Sequence, residues 1–199
     1  MKPLPERYVN TRAAAITEAD VSRAAAALDV TPAHIRMVRT VESGGKSFDD
    51  RGRPVILFEP HIFHKRTFGE WSPSDFSYSA WGARPYPKGY DGRWDQMARA
   101  AQHNETVALE SASWGLFQIM GYHWRALGYS SVQDMVQVMT ASEAGHLDAM
   151  VRFIHANGLA GALRRCKAGD AESCRDFARG YNGTGYARNS YHVKLARAL

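Results

Sequence analysis

Thr40-Val41-Glu42-Ser43-Gly44-Gly45 is where a helical run stops, since two successive glycines permit backbone conformations that end helices. Upstream, Ile35, Met37, Val38 and Val41 recur at helical spacing, which predicts a last turn anchored in a core with Glu42 at its rim. A carboxyl half-shielded by apolar neighbours has its ionised form disfavoured and holds its proton towards neutral pH, as a general acid must. A solvated glutamate at a helix end is the plainer alternative. On this stretch alone the two readings stay open.

Working outward, Thr31 followed by Pro32 supplies a capping side chain and a first-turn proline, so the helix carrying Glu42 starts there. Thr17 with Asp20 three residues on resembles a capping box, and Ala24 to Leu28 continue a preceding helix; the first ten residues read as an irregular lead. After Gly45 the period changes. Phe48 to Pro54 is turn chemistry and Val55-Ile56-Leu57-Phe58 a run of β-formers, which predicts a small β-hairpin whose second strand delivers Glu59. Residues 61–90 hold many aromatics and several prolines and glycines, suiting a loop-rich lobe whose aromatic faces fit sugar rings.

Arg93 to His103 reads as a helix, Asn104-Glu105 as the cap of another, and Ser111 to Gly121 as a central buried element because its apolar residues are too dense for a surface helix. Further helices are expected near Val132 to Met139, Ser142 to Ala156, Ala171 to Arg179 and Arg188 to Leu199. The fold class is therefore mainly α with a small β-hairpin lobe. One domain is expected over 1–199, with a helical lobe at 11–43 and 93–199 and a β/loop lobe at 44–92.

Composition narrows the partners. The 199 residues carry a net charge of +5, which favours polyanions such as nucleic acid, anionic lipid or an acidic bacterial envelope. No lysine-arginine run or recognition motif supports nucleic acid. The amino terminus lacks the order of a signal peptide, so synthesis in a cytoplasm is expected, with action elsewhere only after release. Cys166 and Cys174 could pair across a turn, but two cysteines imply no disulfide framework.

Glu42 and Glu59 lie 17 positions apart, and the turn-rich excursion between them could bring two carboxyls across one groove, as glycoside hydrolysis requires. Asp49 and Asp50 compete for the second role, and Glu59 could instead be a structural partner of Arg51 or Arg53. His61 and His64 near Glu59 offer metal donors, yet not in a His-Glu-x-x-His arrangement, so no metal and no cofactor are expected. Ser43 and Ser113 lie outside a Gly-x-Ser-x-Gly nucleophile motif. Tyr191, Val193, Leu195 and Leu199 with Lys194 and Arg197 could form a membrane-active helix, though a docked terminal helix is the commoner outcome.

Glu42-Ser43 followed by Gly115-Leu116-Phe117-Gln118-Ile119 is similar to the pattern of goose-type lysozymes and lytic transglycosylases. More closely, Val41 to Gly45, Arg53 to His61, Ser113 to Gly121 and Tyr181-Asn182-Gly183 resemble the N-acetylmuramidase domain of phage endolysins that act on Gram-negative cell walls. The resemblance implies a lysozyme-like enzyme cleaving the β-1,4 bond between N-acetylmuramic acid and N-acetylglucosamine, with Glu42 as acid and Glu59, Ser113, Gln118, Tyr181 and Asn182 lining the cleft. It further implies peptidoglycan glycan strands as partner of a monomer that meets periplasmic peptidoglycan after release; many relatives carry a wall-binding module at the amino terminus, for which the short lead before the first helix leaves no room, so none is expected. A lytic transglycosylase forming anhydro ends and a non-catalytic wall-binding protein are the alternatives.

Overall fold

A computed structural model describes residues 3–42 and 46–199. Ser43, Gly44 and Gly45, on which the helix stop was read, lie outside the described residues. In chain order the elements are α1 (Leu4–Arg7), α2 (Glu18–Leu28), α3 (Pro32–Glu42), β1 (Ile56–Phe58), α4 (Pro60–Arg66), α5 (Gly89–Glu110), β2 (Ala112–Trp114), β3 (Ile119–Met120), α6 (Val132–Ala141), α7 (Glu143–Ala156), α8 (Ala160–Arg164), α9 (Arg175–Asn182) and α10 (Tyr191–Ala198). They form two compact units: Met1–Ala14 with Lys46–His146, and Ala15–Gly45 with Leu147–Leu199. Residues 93–146, read from the sequence as part of the helical lobe, thus pack with the β/loop segment, because α5 lies against β1 and β2.

In the first unit the strands run antiparallel in the order β1-β2-β3, with Leu57 opposite Ser113 and Ser113 opposite Met120. The expected local hairpin is corrected here. The 48–54 turn gives only an isolated bridge, Phe48 to Pro54, and β1 finds its partner 56 residues on, where the buried Ser111–Gly121 segment supplies two strands. The unit is built on aromatic packing. Trp94 and Trp114 meet edge-to-face at 5.7 Å and Tyr8 lies against both; their indole N–H groups donate to the Pro54 and Leu109 carbonyls. Tyr8 follows α1, a short helix where an irregular lead was expected, tied to α5 by a two-pronged Arg7–Glu105 pair. Asn104 breaks α5 with non-helical angles and its side chain accepts from the Val107 N–H, the cap expected at that position.

The second unit is a helical cluster in which α3 packs on α2 and on α10. Thr17 and Asp20 form a complete capping box at the start of α2. Ile35, Met37 and Val38 of α3 are buried, as are Val21 and Leu28 of α2 and Tyr191, Leu195 and Ala196 of α10. The carboxyl-terminal helix therefore docks, its apolar stripe spent on the core. Cys166 and Cys174 are buried free thiols.

Candidate active site

Glu42 is the last residue of α3, half-buried. Its Oε1 accepts a 2.5 Å hydrogen bond from the hydroxyl of Tyr191, the first residue of α10. Burial raises the carboxyl's pKa, while the Tyr191 bond and the nearby Lys194 charge partly oppose the rise. Tyr191 is itself buried and stacks nearly parallel on Tyr181, with rings 6.4 Å apart; Tyr181 in turn packs on Phe177 and edge-on to Phe153. The Tyr181 hydroxyl is buried with no hydrogen-bond partner among the described residues, and burial together with the Glu42 charge keeps it protonated. Glu42 can therefore hold a proton on Oε2 while Oε1 is fixed by a donor. Asn182 closes α9 beside Tyr181 and is exposed.

Glu59 belongs to the first unit. It follows β1 and is the residue just before α4, a helix where loop had been expected; Pro60 in the first turn and the Glu59 carbonyl receiving the Phe63 N–H explain the start. Its own N–H donates to the Ser111 carbonyl, locking the backbone to the strand end. The side chain is 14% exposed, accepts a 2.7 Å bond from the Tyr86 hydroxyl and lies 3.3 Å from His61 Nδ1. Burial raises this carboxyl's pKa as well, opposed by Tyr86 and then by His61.

The alternative that Glu59 is a salt-bridge partner of Arg51 or Arg53 does not fit this geometry. Arg53 is buried between Asp49 and Asp91 with its guanidinium over the Trp94 ring, and Arg51 pairs with Asp91. Asp49 also accepts the backbone N–H groups of Arg51 and Arg53, so it staples the turn and has no free oxygen for chemistry; Asp50 is exposed and paired with Lys46.

Ser113 and Gln118 come together. The Ser113 hydroxyl donates to Gln118 Oε1 at 2.7 Å, and the Gln118 amide donates to the Gly115 carbonyl at 2.8 Å, folding the β2–β3 turn around the glutamine. Gly115 sits at φ +66° with no room for a Cβ, because buried His146 lies against it. His146 Nε2–H donates to the Met139 carbonyl and Nδ1 accepts the Leu116 N–H, which fixes the neutral tautomer; burial lowers its pKa to about 4. His61 turns to Glu59 and His64 to Ser77, and the described residues contain no cluster that could hold a metal.

Sequence reading missed Tyr191 and Tyr86 as partners of the two glutamates. Tyr191 lies 149 positions from Glu42, beyond any local signal; Tyr86 lay within the aromatic segment but nothing singled it out.

The N-acetylmuramidase family matches residues 31–199. Among solved structures, a Burkholderia AP3 phage endolysin is similar at a TM-score of 0.81 and 40% sequence identity, the match covering 95% of this chain and 70% of that one. No curated protein gives a match. With that coverage and the mainly helical fold bearing a small antiparallel sheet, the chain belongs to the N-acetylmuramidase family, glycoside hydrolases of lysozyme type that break down peptidoglycan.

Proposed function

We propose that Glu42 is the general acid of this muramidase and Glu59 the second carboxylate. The observation that carries the first assignment is a half-buried glutamate whose pKa burial raises, one oxygen bonded by Tyr191 and the other without a hydrogen-bond partner among the described residues. Cleavage of the β-1,4 bond then proceeds by proton transfer from Glu42 to the leaving oxygen, while charge develops on the ring carbon. Glu59, whose ionised form Tyr86 and His61 favour against the burial that raises its pKa, stabilises that charge or orients water. Ser113 and Gln118, tied into the β2–β3 turn of the first unit, and Tyr181 and Asn182, at the end of α9 in the second, are proposed as glycan contacts. The 199 residues are proposed to act as one catalytic domain, most of it matched by the family, and as a monomer. Light scattering on the purified protein tests the monomer.

The substrate lies outside the cytoplasmic membrane, so the enzyme works there after release, and its positive charge assists capture of an anionic wall. Binding to purified sacculi should weaken between about 0.1 and 1 M salt as the Debye length falls from about 10 to about 3 Å. Unchanged binding across that range would remove the electrostatic part of this reading.

Glu42→Gln tests the acid directly. Lysis of outer-membrane-stripped cells should fall by at least about a hundredfold, the lower bound of general acid catalysis. Melting at pH 7 should be at or above wild type. A raised carboxyl pKa means the folded state is favoured at low pH and loses stability as pH climbs above the unfolded value, a cost that glutamine removes. A folded variant with near-normal activity would sink the assignment. Mass spectrometry of wild-type digests should show reducing N-acetylmuramic ends; anhydro ends would make the enzyme a transglycosylase.

A further inference from the structure

Cys166 and Cys174 lie in the second unit, on the two sides of a short turn between α8 and α9. Lys167 and Asp170 form an isolated antiparallel bridge there, and the Ser173 hydroxyl seals the turn, accepting from the Lys167 N–H at 2.8 Å and donating to the Asp170 carbonyl at 2.6 Å. One cysteine directly precedes this bonded pair of residues and the other directly follows it. The same hydroxyl lies 3.8 Å from the Cys174 sulfur. Residues 167–170 are exposed while both cysteines are buried, so the thiols lie beneath the turn. Burial, and after it the Cys174 thiol, push the Cys166 thiol's pKa up. Among the described residues no further His, Cys, Asp or Glu groups with the pair as metal ligands, so its chemistry is that of a dithiol.

The turn touches both helices around Glu42. The Gly169 N–H donates to the Ala196 carbonyl of α10 at 2.8 Å, and the 3-10 turn Glu172–Cys174 packs on the same helix. His34 of α3 reaches the Cys166 carbonyl through Nε2 at 3.3 Å. Glu42 ends α3 and Tyr191 starts α10.

We propose that Cys166 and Cys174 are a redox pair, a dithiol while the chain is in a reducing cytoplasm and a disulfide once it meets an oxidising compartment, and that the bridge staples the turn against which α3 and α10 are docked. The oxidant is itself a disulfide, that of a thiol-oxidising protein or of glutathione. One cysteine thiolate attacks a sulfur of the oxidant and expels its first thiol; the other attacks the cysteine sulfur of the mixed disulfide, expels the second thiol and closes the bond between the two cysteines. Two electrons pass to the oxidant, and two protons leave with its thiols. An exposed turn sealed by polar bonds opens readily, which admits the oxidant to the buried sulfurs, and a covalent link then restricts the open and unfolded forms. Only the change of compartment rests on the location proposed above. The pairing itself rests on the turn.

The test compares one protein in two states. The full chain, reduced and desalted, is incubated for hours with oxidised glutathione, and a second sample is unfolded in urea and refolded with the same reagent. The product should be about 2 Da lighter than the starting chain, show no titratable thiol after denaturation, and yield proteolytic peptides joined through Cys166 and Cys174. Its thermal midpoint should lie about 5 to 10 °C above that of the reduced form, the shift expected from closing a short loop in a chain of this length, and should fall back on reduction. The double variant Cys166→Ala, Cys174→Ala should melt at one temperature in both redox buffers.

Two thiols that still titrate after both treatments, a persistent glutathione adduct, or a link to a second copy of the chain overturns the pair. A linked form that melts at or below the reduced one overturns the staple. No readout uses turnover, so loss of the Glu42 or Glu59 assignments would leave this result standing.

Discussion

Two glutamates, each at the end of a regular element, each shielded by burial and each bonded by a tyrosine hydroxyl, sit in surroundings of different make. Glu42 closes an eleven-residue helix and takes its tyrosine from α10, buried in a stack with Tyr181. Glu59 follows a three-residue strand and takes its tyrosine from a segment rich in exposed positions, with His61 beside it. Packed helices fix the first carboxyl's burial, so its proton affinity is a property of the core. The second carboxyl is shielded by burial too, but its bonding partners, Tyr86 and His61, are half-buried polar side chains. A proton donor benefits from the first kind of site, and a carboxylate that must stay ionised until a sugar arrives benefits from the second.

The largest effects should come from removing either carboxyl. Glu42→Gln is expected to lose about a hundred- to ten-thousand-fold in turnover, and Glu59→Gln about a hundred- to a thousand-fold, both with wild-type-like circular dichroism. Single-turnover assays on sacculi measure each. A Glu59→Gln enzyme within a few-fold of wild type would leave the site with one working carboxyl and break the comparison.

Asp49→Asn separates chemistry from architecture in the same unit. Asp49 and Arg53 have side chains 2% and 5% exposed, and breaking such a pair leaves a buried guanidinium half-compensated, which costs about 3 to 5 kcal/mol. Urea unfolding should show that loss while the folded fraction keeps its turnover. Asp50→Asn, on an exposed pair with Lys46, should change neither. Turnover lost in Asp49→Asn with stability kept would move the second carboxylate from Glu59 to Asp49.

How far the sequence discloses this arrangement differs between the two glutamates. The helix under Glu42 is legible because its start, period and cap chemistry are all local: Thr31, Pro32 and the spacing of Ile35 and Val38. Asn104 is legible for the same reason. The strand before Glu59 is legible as a strand, but its partner is not, since β pairing is a long-range choice and a two-residue β3 carries almost no signal of its own. The start of α4 was hidden by aromatic density that suits loops equally well. Neither tyrosine could be assigned, because a hydroxyl that meets a carboxyl across 149 or 27 residues leaves no trace in spacing. Family resemblance placed Ser113 and Gln118 together in one motif; only the geometry shows that they are bonded to each other.

Acid should expose a difference between the units. His146 in the first unit has its pKa lowered to about 4 from 6.5 by burial, with Glu143 and the Met139 carbonyl opposing the shift and Phe48 stacked on the ring. The unfolded chain binds the proton near pH 6.5 and the folded unit refuses it. Stability is therefore complete above about pH 6.5 and falls by about 1.4 kcal/mol for each pH unit down to about 4. All five tryptophans, at 71, 81, 94, 114 and 124, lie in that unit, so their fluorescence reports it alone while circular dichroism reports both. The fluorescence midpoint in urea should drop faster between pH 6.5 and 4.5 than the dichroism midpoint. His146→Gln, which can keep one donor and one acceptor, should flatten the dependence.

The smallest effects are the most discriminating, because the two tyrosines should move opposite limbs of the pH–rate profile. Each hydroxyl donates to a carboxylate and so lowers that carboxyl's pKa against the rise that burial imposes. Tyr191→Phe removes the bond to Glu42, whose pKa then rises further. A general acid works while protonated, so the alkaline limb of kcat/KM moves to higher pH and the profile broadens. Tyr86→Phe removes the bond to Glu59, whose pKa also rises. That carboxylate works while ionised, so the acidic limb moves to higher pH and the profile narrows. At the wild-type optimum each variant should lose only a few-fold, about the weight of one hydrogen bond of roughly 1 kcal/mol. Tyr191 is buried and Tyr86 half-buried, and a merely structural role would lower the whole profile without moving either limb. If Tyr191→Phe instead shifts the acidic limb, or Tyr86→Phe the alkaline one, the roles of acid and partner are exchanged between Glu42 and Glu59.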